Sequence, residues 1–297
     1  MLSTWKNRAV DALAVLCYAV VPPPPVAVKS IDETLDRLLA GGDSLARFGD
    51  GEFAILRGHS IGFQVYDSRL AAELAAILRH EHEGLLVALP DVFAPARLRR
   101  YGQEAFRFWR RDLLFTRRLY RRYCGGKAYD NAFVSRPYLL YRLTDTREAV
   151  AARFARIKML WAGRDIVVVE GGGSRLGVGN DLFAEARSVE RILCPAENAF
   201  ARYDEILTAA LCLEQDRLIL VALGPTAKVL VKDLFLRGYR ALDIGHLDIE
   251  YEWFLMQAEK KVPVPGKYVS EAGAVDVPAL PPATAQQYEG EVRCRIP

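Results

Sequence analysis

The sequence lacks any pair of closely spaced cysteines. Its five cysteines are odd in number and far apart along the chain: Cys17, Cys124, Cys194, Cys212 and Cys294. Without a C-x-x-C pair, neither a structural zinc site nor a disulfide framework is indicated. Thiols without disulfide partners favour a reducing compartment, so we expect a cytoplasmic protein.

The chain also lacks an apolar run that could cross a bilayer as a helix, which takes about 20 residues. Residues 9–21 are mostly apolar, but they include Asp11 and are followed by four consecutive prolines. Basic residues precede this run, yet no clear small-residue cleavage site follows, so a signal peptide is not indicated. We expect an amphipathic helix that packs on the domain, with contact to the inner face of the membrane as the alternative.

A strong net charge is missing as well. The net charge of +3 over 297 residues gives no argument for nucleic acid, and we expect no such partner. Arginines are nevertheless dense in residues 97–122, where aromatic residues interleave with them. We interpret this span as an amphipathic surface helix or hairpin whose arginines are solvated. The sharper hypothesis is an acceptor surface for an anionic group or a membrane face, with Arg110 and Arg111 of this span, and Trp253 outside it, as candidate acceptor contacts.

What the chain does contain is a regular alternation of short apolar runs and helical patterns. Residues 165–169, 189–194, 218–223 and 241–244 are each followed by a helical pattern, and residues 44–48 and 85–89 are earlier strand candidates. Such alternation predicts an α/β fold with a Rossmann-like, mostly parallel sheet flanked by helices. We expect the domain to span residues 29–261, between an N-terminal segment (1–28) and a loosely attached proline-rich C-terminal extension (262–297).

Two acidic residues follow the first strand candidate, between glycines that permit a tight turn. Asp50 and Glu52 are two residues apart, so in an extended or turned segment both carboxylates can project to the same side. Mn²⁺ and Mg²⁺ suit such a pair, because they take one or two carboxylates and complete their shell with water and substrate phosphates. The alternative is a solvated loop.

Small or polar residues follow every strand of the second half, and in a parallel sheet these ends share one edge. The loop after residue 169 holds five glycines and Arg175, which together with a following short helix would cradle a phosphate. No Gly-Lys-Ser/Thr follows, so this is not a Walker loop, and Leu182 stands where a dinucleotide fingerprint needs its third glycine. A structural glycine-rich turn is the alternative.

The remaining strand ends add further candidates. Asn198 follows one strand, and Gly224, Pro225 and Thr226 open a helix after the next. After the last strand, His246 and Asp248 repeat the two-residue spacing of the acidic turn, which makes His246 a candidate metal ligand. Candidate bases by position are Asp91, Asp243 and Asp248.

Several ordered motifs resemble the GT-D-fold glycosyltransferases, a family first catalogued as a domain of unknown function and found in bacterial surface-glycan and adhesin glycosylation. The matching segments are RFGDGEF (47–53), LPDVF (89–93), SRLGVGND (174–181), RILCP (191–195), LGPT (223–226) and DIGHLDIEYEW (243–253). The resemblance implies a Rossmann-like fold, a UDP-sugar donor such as UDP-glucose, and a divalent metal served by an Asp-x-Glu motif. Here that motif is Asp50 and Glu52.

These observations predict transfer of a hexose from a UDP-sugar to a glycan, glycoprotein or lipid-linked saccharide, with Mn²⁺ or Mg²⁺ as cofactor. We expect Asp50, Glu52 and Asp248 to be catalytic, and Asp50, Glu52 and His246 to hold the metal. The residues expected to bind the nucleotide-sugar are Arg47, Ser174, Arg175, Gly177, Gly179, Asn180, Asp181, Asn198, Gly224, Pro225 and Thr226. The alternatives are an NAD-type oxidoreductase and a non-catalytic nucleotide-sugar-binding subunit.

Overall fold

In a computed structural model, the described part of the chain is centred on one sheet of nine parallel strands. The structure describes residues 2–269 and 279–297, with side chains from residue 9 onward. The strands are β1 (Ala27–Val28), β2 (Ser44–Arg47), β3 (Leu85–Leu89), β4 (Ala128–Asn131), β5 (Asp165–Gly171), β6 (Ser188–Cys194), β7 (Leu218–Ala222), β8 (Arg240–Asp243) and β9 (Val292–Arg295). The predicted mostly parallel α/β sheet is therefore confirmed.

Helices connect and cover these strands. They are α1 (Leu2–Val20), α2 (Ile31–Ala40), α3 (Asp50–Leu56), α4 (Ser68–Arg79), α5 (Pro95–Leu98), α6 (Gly102–Tyr123), α7 (Arg147–Lys158), α8 (Tyr203–Leu211), α9 (Pro225–Phe235), α10 (Leu247–Leu255) and α11 (Pro282–Glu291). Their starts follow local chemistry. Ser30 and Glu33 form a capping box at α2, and the Asp67 side chain accepts a hydrogen bond from Leu70 N at α4.

The strand order is β1-β4-β3-β2-β8-β7-β5-β6-β9, so the two halves of the chain meet where β2 pairs with β8. On one side of this junction the chain runs outward through β3, and on the other side it runs through β7 and β5. Ligands of open α/β sheets bind at such a switch point, outside the carboxyl ends of the strands. The topology therefore places the most favourable site beside Arg47 and Asp243, which end β2 and β8.

The central strands are apolar because both faces of a parallel sheet are covered by helices. In β5, Val167, Val168 and Val169 are fully buried, and Leu220 and Val221 of the neighbouring β7 are equally inaccessible. The side chains that follow these strands therefore project from the end of a buried, closely packed sheet.

The C-terminal extension is not loosely attached where the structure describes it, so that expectation is wrong for residues 279–297. Strand β9 pairs in parallel with β6 and becomes the ninth strand. Arg191 of β6 also ties the preceding helix α11 to the sheet, because it donates to Glu170 Oε1 of β5 at 2.6 Å and to Glu291 Oε2 of α11 at 2.7 Å. The proline-rich composition hid this strand, which is only four residues long.

The N-terminal helix α1 packs on α6. This agrees with the expectation that the apolar segment forms an amphipathic helix packed on the domain. The rings of Tyr18 and Phe106 meet edge to face at 5.8 Å, and Arg121 donates to Pro22 O at 2.8 Å. Leu13, Leu16 and Val20 remain exposed. Among the residues that the structure describes, no helix combines the length and the apolar character needed to cross a membrane.

Candidate active site

A cavity of about 640 Å³ lies at the carboxyl edge of the sheet, around the junction of β2 and β8. The ends of β2, β5, β6, β7 and β8 all contribute to its wall, and α6 closes it from the side of the arginine-rich span. From the predicted site, the residues that line the cavity are Arg47, Asp50, Glu52, Ser174, Gly224, His246 and Asp248. Strand ends that are far apart in sequence therefore lie around one cavity.

The acidic turn begins a helix, so its two carboxylates do not point the same way. Gly49 is the N-cap of α3, and Glu52 reaches back to accept a hydrogen bond from Gly49 N at 2.7 Å. Residues two apart on a helix do not share a face. Asp50 is consequently exposed at the cavity, whereas Glu52 is buried. The expectation of two parallel carboxylates is wrong, because the segment is helical and not extended.

Below the turn lies a buried network of two cations and two carboxylates. Arg47 donates through its guanidinium to Asp243 Oδ1 at 2.8 Å and to Asp243 O at 2.7 Å. The Lys228 ammonium lies 2.9 Å from Glu52 Oε1 and 3.1 Å from Asp243 Oδ2. Burial alone would raise the pKa of Asp243, but Arg47 and Lys228 outweigh it and hold that pKa below its ordinary value. Arg47 thus positions the strand ends and is engaged with protein partners.

Lys228 is a site residue that the sequence analysis missed. It lies in α9 among buried apolar neighbours such as Ala227 and Val229, and it lines the cavity. The available signal was a lysine inside an otherwise buried helix face, since lysine is almost never fully buried unless it is paired.

The glycine-rich loop is held from below by two buried carboxylates. Glu170 Oε2 accepts from Leu176 N at 2.8 Å, and Asp248 Oδ1 accepts from Gly177 N at 2.9 Å and from the Asn180 side chain at 2.8 Å. The other oxygen of Asp248 pairs with Lys267 Nζ at 2.6 Å. Burial raises the pKa of Asp248 although Lys267 opposes the change. With both oxygens engaged, Asp248 is placed to position the loop.

No α-helix lies between β5 and β6, a stretch that the structure describes in full, so the predicted short helix after β5 is wrong. Residues 172–187 form turns, and Gly177 and Gly179 both have positive φ. A Cβ on Gly177 would come within 2.3 Å of the Phe183 ring, so this position requires glycine. The loop therefore offers no helix dipole to a phosphate.

Several predicted nucleotide contacts lie outside the cavity lining. Arg175 donates to Gly266 O at 2.8 Å, and Asp181 accepts from Lys158 at 2.8 Å and from the Tyr251 hydroxyl at 2.6 Å. The predicted contacts outside the cavity lining are Arg175, Gly177, Gly179, Asn180, Asp181, Asn198, Pro225 and Thr226. Their geometry favours a role in shaping the loops that carry Ser174 and Gly224.

A loop from the first half covers two of these strand ends. Gln64 donates to Asn198 Oδ1 at 2.7 Å and accepts a hydrogen bond from the Thr226 hydroxyl at 3.3 Å. Phe63 lies against the start of α9, where a Cβ on Gly224 would come within 2.4 Å of its ring. Asn198 and Thr226 thus anchor the loop that carries Phe63 and Gln64, a contact between distant segments that the sequence did not reveal.

The candidate acceptor contacts need correction. Trp253 is fully buried and donates through its indole nitrogen to Val262 O at 2.8 Å, so it is a core residue. Arg110 stacks over Phe106, and Arg111 pairs with Asp11 at 3.8 Å. None of the three lines the cavity. The residues of the α6 region that do are Tyr101, Glu104, Ala105, Phe108 and Trp109.

The candidate bases differ in how far their carboxylates are exposed to the cavity. Asp91 is buried beside Arg97 at 3.0 Å, and burial raises its pKa. Asp243 and Asp248 are held in the networks described above. The exposed carboxylates of the cavity wall are Asp50, Glu104 and Glu259. Glu104 and Glu259 are therefore further candidates.

The cavity wall could hold a hard divalent ion only at an open site, in which the protein supplies few of the ligands. Asp50 and His246 both line the cavity, but among residues 2–269 and 279–297 no group of three or more His, Cys, Asp or Glu side chains could hold an ion together. Mg²⁺ and Mn²⁺ sites with few protein ligands are common when substrate phosphates and water complete the shell. The donor set is compatible with that arrangement.

Comparison with known proteins identifies the fold family. The family model described as "Glycosyltransferase GT-D fold" matches residues 45–272. The chain belongs to the GT-D glycosyltransferase family. The match covers β2 through α10, and so it contains every cavity-lining strand end.

Relatives and solved structures agree with this assignment. The chain is 44% identical over 263 residues to "Probable glycosyl transferase Gly" of Streptococcus gordonii, and 43% identical over 247 residues to "Glycosyltransferase GlyD" of Streptococcus pneumoniae serotype 4. These matches cover 88% and 83% of this chain but only 38% and 30% of the relatives, so the chain spans roughly a third of their length.

Two solved structures superpose over almost the whole chain. One is described as "The highly conserved domain of unknown function 1792 has a distinct glycosyltransferase fold", with a TM-score of 0.86, 41% identity, and coverage of 98% of this chain and 99% of that one. The other, "A New Glycosyltransferase (DUF1792) from Streptococcus sanguinis", has a TM-score of 0.84, 41% identity, and coverage of 92% and 100%.

Proposed function

We propose that this GT-D protein transfers a hexose from a UDP-sugar to a glycan, glycoprotein or lipid-linked saccharide, assisted by Mn²⁺ or Mg²⁺. One observation carries the proposal. Asp50, Ser174, Gly224 and His246, from four separate strand ends, line one cavity at the switch point of the sheet. Family membership and relatives named as glycosyltransferases support sugar transfer over the NAD-type oxidoreductase alternative.

The cavity offers distinct surroundings for donor and acceptor. On the sheet side, Ser174 and the start of α9 at Gly224 present small, polar groups suited to a diphosphate. Lys260 and Lys261 line the wall after α10 and add positive charge. On the α6 side, the aromatic rings of Tyr101, Phe108 and Trp109 suit a saccharide.

A bound divalent ion would supply positive charge to offset the charge that builds on the leaving nucleoside diphosphate. In our assignment Asp50 is the direct carboxylate ligand, because it is exposed to the cavity, and His246 lines the same cavity. Glu52 caps α3 and pairs with Lys228, so it positions Asp50 and the end of β2, and an ion reaches its carboxylate only by displacing Lys228. We place the protein in the cytoplasm, where UDP-sugars are made available to such enzymes.

Thermal shift distinguishes the donor class. We expect UDP with Mn²⁺ to raise the melting temperature, NAD to leave it unchanged, and the D50N variant to lose the Mn²⁺-dependent part of the shift. Stabilisation by NAD but not by UDP with Mn²⁺ would contradict the proposal. UDP-sugar binding without hydrolysis or transfer to any acceptor would favour the non-catalytic subunit instead.

A further inference from the structure

The Lys228 ammonium is held by three oxygen atoms at the base of the cavity. They are Glu52 Oε1 at 2.9 Å, Asp243 Oδ2 at 3.1 Å and Gly224 O at 3.0 Å. The side chain is only 6% exposed, yet it lines the cavity beside the acidic turn. The Lys228 ammonium therefore neutralises Glu52, which is the carboxylate that the Asp-x-Glu pattern assigns to a metal ion.

The charges of this network already balance. Arg47 and Lys228 contribute two positive charges, and Glu52 and Asp243 contribute two negative ones, all in side chains that are at most 10% exposed. A divalent ion bound to Glu52 would lie a few ångströms from the ammonium, in surroundings where water screens poorly. The network therefore has no surplus negative charge for an ion at Glu52 while Lys228 remains in place.

We propose that Lys228 competes with the divalent cation for Glu52, so that the ammonium is the built-in counter-ion of this carboxylate. The inference rests on the proposed function in one respect, namely the metal at the acidic turn. It follows that Lys228 weakens ion binding, and that an ammonium displaced from Glu52 stays anchored on Asp243 at the cavity wall. There it faces the space that we assign to the donor diphosphate.

Mn²⁺ titration followed by electron paramagnetic resonance of the free ion tests this competition. In K228M the competing charge is gone, so we expect Mn²⁺ to bind about tenfold more tightly than in the wild type. Lys232 gives a matched control, because it lies one turn later in α9 and pairs with Glu73 at 2.7 Å outside the cavity lining. K232M should bind Mn²⁺ like the wild type. Unchanged or weaker binding in a folded K228M would overturn the proposal.

Two further variants keep the test decisive. K228Q removes the charge but retains hydrogen-bonding capacity, so it should show the same gain if K228M fails to fold. In an E52Q background, K228Q should give little or no gain, because the carboxylate over which the two cations compete is absent. An equal gain with and without Glu52 would place the effect of Lys228 elsewhere and overturn the proposal.

The outcomes also separate this inference from the proposed function. If no variant binds Mn²⁺ and the wild type transfers sugar in EDTA, the competition is overturned and sugar transfer stands. If K228M binds Mn²⁺ more tightly but the wild type uses no UDP-sugar, the competition stands and the proposed function is contradicted.

Discussion

At the residue scale, the two acids of the turn have different structural roles. Asp50 is exposed in the first turn of α3, while Glu52 is buried, caps that helix through Gly49 N and pairs with Lys228. An acid that binds an ion or substrate can be neutralised with little loss of stability when it is exposed. An acid within a buried network cannot, because its removal leaves a cation without compensation.

Substitution of the two acids should therefore separate activity from stability. We expect D50N to reduce kcat about 100-fold or more while the free energy of unfolding changes by less than about 0.5 kcal/mol. E52A should lower that free energy by about 3 kcal/mol, because it leaves Lys228 underpaired and α3 uncapped. Urea unfolding and initial-rate kinetics measure both. A severely unstable D50N with a stable E52A would reverse these assignments.

Asp112 of α6 gives a pH-dependent prediction. Burial raises the pKa of its carboxyl to about 7, with Thr116 opposing the change and Asp50 adding to it. The folded protein thus binds this proton more tightly than the unfolded chain, whose aspartates titrate near pH 4. Stability from this group is present below about pH 4 and is lost as the pH rises towards 7.

D112N should remove that loss. In metal-free protein we expect the variant to be more stable than the wild type by about 2 kcal/mol at pH 8, with little difference at pH 4. Urea unfolding at both pH values is the measurement. A variant that is destabilised equally at pH 4 and pH 8 would show that the carboxylate hydrogen bond to Thr116, and not its titration, governs stability.

At the element scale, α6 carries two exposed phenylalanines with different surroundings. Phe108 lines the cavity, whereas Phe115 lies two turns further along under the Arg57 guanidinium and outside the cavity lining. If the aromatic side of the cavity receives the acceptor sugar, only Phe108 contacts it. Phe115 therefore provides the control for substitution of Phe108, because both are exposed phenylalanines of the same helix.

We expect F108A to raise the acceptor KM about tenfold, because a stacking surface for the sugar ring is lost. UDP binding in F108A, and both quantities in F115A, should match the wild type. Steady-state kinetics with varied acceptor and UDP-induced thermal shift distinguish the two effects. Equal changes in F108A and F115A would indicate a general effect on α6 instead of acceptor contact.

Long and regular strands and helices could be predicted from the sequence, whereas short ones could not. Four strands with alternating helices were evident from apolar runs, but β1 and β9 are two and four residues long and carry little pattern. The start of α3 was misread because glycines on both sides of Asp50 indicated a turn. That several strand ends share one edge of the sheet was predictable from the alternating pattern. The positions of Lys228 and Gln64 were not, because both contact residues far away in sequence, which no local pattern encodes.

At the scale of the whole molecule, one buried arginine ties α11, the helix that leads directly into β9, to the sheet. Arg191 bridges Glu170 and Glu291, and Glu170 in turn holds Leu176 of the glycine-rich loop. Burial raises the pKa of Glu170 although Arg191 opposes the change. The end of α11 is thereby linked through Arg191 to the carboxylate that holds the loop carrying Ser174.

R191M should cost about 3 to 5 kcal/mol in the free energy of unfolding, because it leaves Glu170 buried without a cation. The matched control is R295M in β9, where Arg295 and its partner Glu289 are both exposed, and there we expect a change below about 0.5 kcal/mol. Urea unfolding decides between them. Similar small changes in both variants would show that β9 is held by backbone pairing alone.

The central claim is sugar transfer from a UDP-linked donor at the cavity beside β2 and β8. The most direct test is a donor screen by mass spectrometry, in which wild type and D50N are each incubated with Mn²⁺, a panel of nucleotide-sugars and simple saccharide acceptors. We predict a hexose added to an acceptor, with release of UDP, by the wild type and not by D50N. Equal product from D50N, or no turnover of any UDP-sugar by the wild type, would contradict the account.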